Sequence, residues 1–522
     1  MSRPFTLRLA AAVALLALAL PCALAAPRGT PAVDAALLLP RLYNGEQPAL
    51  LWSASGQAAL ALDLLRTASE HGLDGAYYDV DALAARYASR NPADADAFDH
   101  ALSQAMLQFI SDLHGGRVKP DVRVPTPPAG AARFDAVAYL RQALAEQRLS
   151  EAVSAAAPAL PQYKRIQATL QQYRTLAAQA GQTGAWSPPA LPANGKLVAG
   201  SRYPGLGLLR QRLQLLGDLD GSDAATEPDR YSDDLATAIK HFQARHGLDE
   251  TGQPGRDTIA ALKVPLSHRV RQLALTLERM RWLPPLRPGR VIVVNVAAYR
   301  LWAFDTSAAD IGEPLEMRVI VGKAARTQTP LFIGQMSYLE FNPYWNVPRS
   351  IAVAEIAPKL ARNPGYLRQN NMELVAPNGQ VQGGASAAAL RSGAVRVRQR
   401  PGPQNALGAV KFAMPNTMNI YLHSTSAQEL FGKVRRDLSH GCIRVERPAE
   451  LAAFVLADQA HWSPAAIATA MAPGPNRTVR LGQTIPVVLF YATAATDRSG
   501  RALFANDIYQ RDDKLAQALG AP

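Results

Sequence analysis

Apolar side chains recur three and four positions apart in the first part of the chain. Prolines interrupt this block and mark a linker at its end, at Pro125, Pro127, Pro128, Pro188, Pro189 and Pro192. Two clear apolar sets are Ala58, Ala61, Leu62, Leu65 and Ala101, Ala105, Met106, Phe109, Ile110. Such spacing puts the apolar residues on one face of an α-helix, so residues 26–195 are predicted to form a scaffold of packed amphipathic helices.

A second helical pattern occupies residues 203–264. Gly217 and Gly247 follow two of its apolar stretches, where a C-terminal helix cap would lie. The pattern therefore predicts three short helices. Residues 265–287 keep helical spacing up to Pro284-Pro285, which predicts one connecting helix.

The periodicity changes after residue 288. Short β-branched or aromatic runs bounded by Gly, Pro and Asp predict strands, at 291–296, 301–304, 318–322 and 487–491. Their number predicts a mostly-β domain, sandwich-like or a barrel, over residues 288–512, with a tail at 513–522. The chain as a whole is predicted to be multi-domain α+β.

The strand pattern fails between Ile351 and Arg400. A short helical stretch at 354–357 is followed there by Gly- and Ala-rich sequence. This composition predicts an inserted lid over a site, for which Gly383, Gly384 and Gly393 offer hinges.

The N-terminus has the pattern of an export signal. Arg3 and Arg8 precede an apolar run of about 12 residues, which is shorter than the roughly 20 needed to span a bilayer. Cleavage after Ala25, in the small-residue site Ala23-Leu24-Ala25, would release a periplasmic protein with no stable membrane insertion. The net charge of +13 suits an anionic partner. Exported proteins do not normally meet nucleic acid, so cell-wall material is the expected partner, although the charge could serve solubility alone.

Removal of the signal would leave one cysteine. The chain has two, and Cys22 lies in the signal. Cys442 lies in the sequence Ser439-His440-Gly441-Cys442-Ile443-Arg444. A lone exported thiol beside a histidine is typical of a nucleophile. The alternative is a buried cysteine that acts as a small hydrophobe.

A second histidine is predicted to approach Cys442 from an adjoining strand. Residues 419–423 read as a strand that ends at His423, and a capping box formed by Ser426 and Glu429 predicts a helix through Arg435. Fifteen residues, 424–438, separate His423 from the motif that holds Cys442. Strand, helix and strand would thus bring His423 and Cys442 together at one edge.

These residue types can support acyl transfer. A free thiol has a pKa of about 8.5, so an imidazole within hydrogen-bond reach is needed to remove its proton and to protonate a leaving amine. The turn at Gly441-Cys442 can present backbone N–H groups to an oxyanion. Two histidines lie near the thiol, and the choice of base stays open. His423 is favoured because His440 shares its local backbone with Cys442.

The spacing of His423 from the Ser-His-Gly-Cys-Ile-Arg motif resembles the signature of L,D-transpeptidases with a YkuD-type catalytic domain. Residues 342–348 and 400–412 are similar to the large periplasmic members of that family. Those members combine a helical scaffold, a peptidoglycan-binding domain, which residues 203–264 resemble, and a lid-bearing catalytic domain.

The resemblance implies a role for each residue of the site. Cys442 would be the nucleophile and His423 the acid and base. The supporting and oxyanion residues would be Ser439, His440 and Gly441. Substrate would be bound by Arg444, Tyr421 and Trp345. No metal or other cofactor is implied.

The resemblance also implies a reaction. Cys442 would attack the carbonyl of the third residue of a tetrapeptide stem, usually meso-diaminopimelate, and expel D-alanine to leave a thioester. The amine of a second stem would resolve it as a 3-3 cross-link, which contributes to cell-wall biogenesis and cell shape. Water as acceptor would make the enzyme a carboxypeptidase, and the same chemistry could attach proteins to peptidoglycan. Carbapenem-type inhibitors are expected to acylate the thiol.

Three alternatives remain open from the sequence. His423, His440 and Cys442 could bind zinc, although one residue between His440 and Cys442 is tight spacing and no HExxH-type helix supplies a base. The chain could be a non-catalytic wall-binding protein. The last alternative concerns Lys433, Arg435 and Arg436, which could hold stem carboxylates or form a solvated helix face.

Overall fold

The computed structural model describes residues 32–43, 50–123, 134–183, 192, 196–220, 227–285, 287–307, 312–384 and 386–520. The predicted export signal and Pro125, Pro127, Pro128, Pro188 and Pro189 lie outside these ranges. None of the helices in these ranges combines the length and the hydropathy needed to cross a membrane.

The helical scaffold predicted for the N-terminal part is confirmed. Its helices are α1 (Leu39–Leu42), α2 (Leu51–Ser55), α3 (Ala58–Arg66), α4 (Val80–Ser89), α5 (Ala95–Gly115), α6 (Ala136–Ala145) and α7 (Leu149–Ala156). The apolar faces of α3 and α5 are buried against each other and form one core with residues of α6 and α7. Helix α8 (Pro161–Thr183) departs from this arrangement. Its Tyr163, Ile166 and Leu170 belong to the core of the C-terminal domain, so the scaffold core ends before the predicted boundary at 195.

The three predicted short helices of the second unit are also present. They are α9 (Leu206–Leu215), α10 (Asp233–Arg245) and α11 (Arg256–Lys263), and they enclose a small core of their own. Gly217 and Gly247 follow α9 and α10 with φ of +76° and +64°, a conformation that favours glycine. The connecting helix α12 (Leu266–Arg281) comes next.

The second half of the chain is a β domain with an insertion. Its first strands are β1 (Arg290–Asn295), β2 (Arg300–Asp305), β3 (Leu315–Gly322) and β4 (Phe332–Phe341). The insertion holds β5 (Trp345–Asn346), α13 (Arg349–Ile351), a π-helical turn (Ala352–Ile356), α14 (Ala357–Arg362), α15 (Tyr366–Gln369), β6 (Met372–Val375), β7 (Val381–Gln382), α16 (Ala387–Ser392) and β8 (Arg396–Gln399). The remaining elements are β9 (Val410–Ala413), β10 (Leu422–His423), β11 (Asp437–Ser439), β12 (Ile443–Val445), α17 (Pro448–Val455), α18 (Pro464–Met471), β13 (Arg477–Phe490), β14 (Ala494–Thr496), β15 (Ala502–Phe504) and α19 (Arg511–Ala518).

The main sheet closes on itself. Its strands follow the order β3, β12, β10, β9, β4, β13, β1 and β2, and β2 pairs back onto β3, while β11 extends the edge of β3. Of the two predicted arrangements, the strands therefore adopt the barrel. Alternate side chains point to opposite faces, so Leu422, Phe412 and Ile443 fill the interior while their chain neighbours face outward.

The insertion is a folded unit, here called the insertion subdomain (residues 345–400). Strands β5, β8, β6 and β7 form a four-stranded sheet that packs with the helices around its own core. The expectation that strands are absent between 351 and 400 is therefore wrong, because strands of two to four residues are too short to show a clear alternation. Gly393 has φ of +83° at the end of α16, where a Cβ atom would meet the Arg349 guanidinium. It is a helix cap inside the subdomain.

The predicted tail is part of the β domain. Helix α19 buries Leu515 and Ala516 in the main core. Its Asp512 forms a buried ion pair with Arg279 of α12 at 2.5 Å. The prediction of a tail at 513–522 is thus corrected for residues up to 518.

Candidate active site

Two adjacent parallel strands place the predicted catalytic residues. In the register of β10 and β12, Leu422 lies opposite Ile443 and His423 lies opposite Arg444. The Ile443 N–H donates to the Tyr421 carbonyl at 3.2 Å, so Cys442 enters β12 beside Tyr421. Because side chains alternate along a strand, the structure brings Tyr421, His423, Cys442 and Arg444 to the outer face of the barrel.

The turn before Cys442 is held by hydrogen bonds of Ser439. Its hydroxyl accepts from the Gly441 N–H at 3.1 Å and donates to the Cys442 carbonyl at 2.6 Å. Its own carbonyl accepts from the Thr327 hydroxyl at 2.9 Å. Gly441 has φ of +116°, a backbone conformation that favours glycine. A Cβ atom at this position would make only ordinary contacts, so the conformation and not crowding is the reason for glycine.

The backbone N–H groups of Gly441 and Cys442 differ in their hydrogen bonds. The Gly441 N–H is engaged by the Ser439 hydroxyl, and the Ser439 hydroxyl itself donates to the backbone. The N–H of Cys442 has no hydrogen-bond partner among the residues that the structure describes, and it remains as a donor beside the sulfur. Ser439 and Gly441 thus hold the shape of the turn, in keeping with the supporting role predicted for them.

His423 is buried and its tautomer is set by a neighbouring carbonyl. Its Nδ1 lies 2.6 Å from the Ser424 carbonyl oxygen, which can only accept, so Nδ1 carries the proton. In the neutral ring Nε2 is then the unprotonated nitrogen, and the ring also forms a backbone hydrogen bond with Leu407, which tends to raise its pKa. Burial, with the charge of Arg444, lowers the pKa of His423 to about 3. The imidazole is therefore neutral near pH 7.

The Cys442 thiol lies among hydrogen-bonding groups of Tyr421. Burial raises the pKa of Cys442, while the backbone N–H and the hydroxyl of Tyr421 act in the opposite direction. The sulfur also lies 3.4 Å from the Asn419 carbonyl. The resting thiol is thus protonated, and the Tyr421 hydroxyl is positioned to donate to the thiolate once it forms.

Tyr421 links Cys442 to the insertion subdomain. Burial, followed by the neighbouring Cys442, raises the pKa of Tyr421, so the hydroxyl keeps its proton. Trp345 of β5 forms a side-chain hydrogen bond with Tyr421, which tends to lower that pKa, as expected for an indole N–H donor. Trp345 and Tyr421, singled out from the sequence as substrate-binding residues, therefore both act on the environment of the sulfur, Tyr421 directly and Trp345 through Tyr421.

Two cations flank His423 across the sheet. Lys411 of β9 lies opposite His423; its Nζ contacts Glu340 at 3.1 Å and lies 5.0 Å from the centre of the Tyr421 ring. Arg444 lies on the other side. Within the described part of the chain, its Nε has no hydrogen-bond partner and its guanidinium has no ion-pair partner. Burial lowers the pKa of Arg444, which remains a half-buried cation available to an incoming carboxylate.

Lys411 and Glu340 received no role from sequence reasoning. Their place beside the site follows from the register of β4, β9 and β10, which aligns Glu340, Lys411 and His423 in one row. A sequence pattern does not specify which strands pair. The only sequence signal for Lys411 was therefore the alternation of buried and outward-facing residues within β9.

His440 points toward the insertion subdomain. Its Nε2 lies 2.6 Å from a carboxylate oxygen of Glu355 in the π-helical turn, and it makes no hydrogen bond to Cys442. The predicted capping box at Ser426 is wrong. The segment forms a 3-10 helix at Gln428–Gly432 whose N-cap, Ala427, provides no side-chain cap, and the Thr425 hydroxyl accepts a hydrogen bond from the Ala427 N–H.

The basic residues near the motif are mostly committed to the fold. Arg435 pairs with Asp437 at 2.6 Å. Arg436 is buried and donates to the carbonyls of Val319, Lys433 and Tyr299, so neither the stem-contact nor the solvated-face interpretation fits it. Among the described residues, no group of three or more His, Cys, Asp or Glu is arranged to hold a metal ion.

Comparison with family models gives three matches in chain order. Residues 38–170 match a family described as a scaffold domain. Residues 202–262 match one described as "Putative peptidoglycan binding domain". Residues 289–484, which include Cys442 and His423, match the YkuD family, described as an L,D-transpeptidase catalytic domain. The resemblance drawn from the sequence is confirmed.

A curated relative gives a similar result. A protein of Haemophilus influenzae named "Putative L,D-transpeptidase" is 33% identical over 268 residues, which cover 50% of this chain and 53% of that protein. The match thus spans about half the length of the relative.

Two solved structures show remote similarity. That of Bdellovibrio bacteriovorus Bd1075 is 14% identical over 44% of this chain and 55% of that chain, with a TM-score of 0.17. A fused Zn-dependent amidase/peptidase/peptodoglycan-binding domain-containing protein from Clostridium acetobutylicum is 12% identical over 56% of this chain and 98% of that chain, with a TM-score of 0.16. At these TM-scores neither carries an argument.

Proposed function

We propose that this chain, which matches the YkuD L,D-transpeptidase catalytic domain at residues 289–484 and a peptidoglycan-binding domain at residues 202–262, forms 3-3 cross-links between peptidoglycan stem peptides through a thioester on Cys442. The observation that carries this proposal is the pairing of β10 with β12, which sets His423 and Cys442 on one face of the barrel. The export signal predicted at residues 1–25 supports the periplasm as the place of the reaction.

The first half of the reaction acylates the sulfur. The Cys442 proton moves to Nε2 of His423 as the sulfur attacks the carbonyl of the third stem residue. Burial disfavours both the thiolate and the imidazolium, so the proton moves when substrate binds and no ion pair exists beforehand. The Cys442 N–H and the Tyr421 hydroxyl donate to the negative charge that develops. His423 then returns the proton to the leaving D-alanine nitrogen, and the thioester remains.

The second half transfers the acyl group. The side-chain amine of a second stem attacks the thioester carbonyl and loses a proton to His423. The C–S bond breaks, the sulfur leaves as thiolate, and His423 protonates it to restore the thiol. Arg444 holds a carboxylate of the donor stem, because it is a half-buried cation with no ion pair within 4.0 Å among the described residues, and Glu429 acts on it only at longer range.

The insertion subdomain serves as a lid in this proposal. It contacts the site at two places, through Trp345 to Tyr421 and through Glu355 to His440. A covering subdomain excludes water, so it favours transfer to an amine over hydrolysis. Any hinge would lie where the subdomain joins the barrel, near residues 342–344 and 401–409.

Two experiments test the proposal. Intact-mass measurement after incubation with a carbapenem should show one covalent adduct that is absent from Cys442→Ala. Purified enzyme should convert tetrapeptide muropeptides to 3-3 dimers. No adduct would indicate a non-catalytic wall-binding protein. Dimer formation by Cys442→Ala would refute the nucleophile, and release of D-alanine without dimers would indicate a carboxypeptidase. Loss of activity to a chelator with rescue by zinc, in place of loss to iodoacetamide, would support the metal alternative.

A further inference from the structure

The insertion subdomain carries a large excess of positive charge. Residues 349–400 contain eight Lys or Arg and two Glu, a net of +6 in a chain whose net charge is +13. Glu373 pairs with Arg398 and Arg400, and Glu355 contacts His440. Both carboxylates of this segment are therefore engaged, and the other cations have no carboxylate of their own subdomain to neutralise them.

One helix face connects part of this charge to the catalytic turn. Glu355, Lys359 and Arg362 are four and then three positions apart and are exposed, whereas the intervening Ile356 and Leu360 are buried in the subdomain core. Residues with this spacing lie on one side of a helix. Glu355 contacts His440, which precedes Cys442 by two residues. The side that carries Lys359 and Arg362 therefore borders the approach to the sulfur.

These two cations have no counter-ion in the described ranges of the chain. Among the residues that the structure describes, no carboxylate lies within ion-pair distance of Lys359 or Arg362. The Lys359 ammonium lies 5.5 Å from the centre of the Tyr366 ring, so its side chain is supported on an aromatic surface. Exposed cations beside a substrate entrance attract and orient an anionic partner.

We propose that Lys359 and Arg362 form a docking site for carboxylates of the acceptor stem peptide. This inference rests on the proposed function and adds the element that selects the second substrate. Arg444 lies two residues after Cys442 on β12, and Glu355 of the helix that carries Lys359 and Arg362 contacts His440, two residues before Cys442, so the two cationic groups belong to different elements near the sulfur. Arg444 serves the donor from the barrel, and Lys359 with Arg362 serve the acceptor from the lid.

The test compares two double variants with the same change in charge. Lys359→Gln/Arg362→Gln removes the proposed site, and Arg391→Gln/Arg396→Gln removes two exposed cations elsewhere in the subdomain. The first variant should raise the KM for the acceptor peptide about 2- to 30-fold, the range for two exposed cation–carboxylate contacts, with carbapenem acylation unchanged. The control variant should change neither quantity.

Two further arms identify the chemistry. The difference between enzyme and first variant should shrink as salt is raised, because exposed charge pairs are screened. It should disappear with an acceptor whose carboxylates are amidated.

Equal effects of the two double variants would overturn the inference and assign the effect to overall charge. An unchanged KM in Lys359→Gln/Arg362→Gln would overturn it as well. Failure of the proposed function would look different, since the unaltered enzyme would then form no thioester or no cross-link, and this inference would fall with it.

Discussion

Replacing Tyr421 by Phe removes one hydroxyl while keeping the buried ring. That hydroxyl forms a side-chain hydrogen bond with Cys442 and lowers the pKa of the thiol against the effect of burial. A hydrogen bond to a charged group contributes about 1.5–3 kcal/mol, so its loss should slow acylation about 10- to 150-fold. The pKa of Cys442 should also rise, because the thiolate loses a donor.

The assay is stopped-flow acylation by a carbapenem over a range of pH. The expected result is a lower rate at neutral pH and an alkaline rise that is displaced to higher pH. Tyr139→Phe is the matched control, since its hydroxyl donates to the Ala152 carbonyl in the scaffold and should not affect acylation. A Tyr421→Phe enzyme that acylates at the parental rate with an unshifted pH profile would refute the assignment of this hydroxyl.

Four further predictions concern the base, the turn, the buried histidines and the peptidoglycan-binding domain. His423→Ala should slow acylation about 10²- to 10⁴-fold and His440→Ala much less, and the reverse order by stopped flow would exchange their roles. Gly441→Ala should lower the melting temperature and slow acylation, because φ of +116° is strained for alanine; unchanged values of both would contradict this. Burial lowers the pKa of His71 to about 4, of His423 to about 3 and of His246 well below its usual value. Below about pH 6.5 the unfolded chain therefore binds more protons than the folded chain, and the free energy of unfolding should fall from there toward pH 4. Urea unfolding at several pH values should show a weaker dependence of this free energy on pH in His423→Gln, and an unchanged dependence would contradict the prediction. Deleting residues 203–264 should weaken sedimentation with wall sacculi more than acylation by a small β-lactam, and equal sedimentation would make the domain a spacer.

The three-helix unit packs against α8 and the β domain, and this packing affects what its deletion would do. Arg245 of the three-helix unit forms a buried ion pair with Asp218 and also lies 3.4 Å from the Tyr173 hydroxyl and from the Ala502 carbonyl. His246 stacks on Phe242 and lies near Phe504 of β15. Removing the unit would expose Tyr173 and Phe504 and could lower the stability of the remaining protein. The acylation rate of the deletion variant should therefore be measured together with its melting temperature.

The parts of the fold that follow local periodicity could be predicted from the sequence. The apolar residues of α3 and α5 recur once per helical turn, and Gly217 and Gly247 each follow the end of a helix. Each of these signals can be recognised within a stretch of about ten residues. The insertion subdomain was misread as a strand-free flap because β7 has two residues and β6 and β8 have four each. Their pairing depends on partners far along the chain, such as Met372 with Gln399.

The candidate site divides in the same way. Cys442 and His423 were predicted because a nucleophile and its base have few residue types available to them, and His423 lies fifteen residues before the motif that holds His440 and Cys442. The hydrogen bonds from Trp345 to Tyr421 and between Glu355 and His440 could not, since the latter pair is separated by 85 positions. Both contacts join the insertion subdomain to the catalytic face. A displacement of that subdomain would therefore free His440 and withdraw the Trp345 donor from Tyr421 together, so the position of the insertion subdomain would affect the pKa of the Cys442 thiol through the Tyr421 hydroxyl.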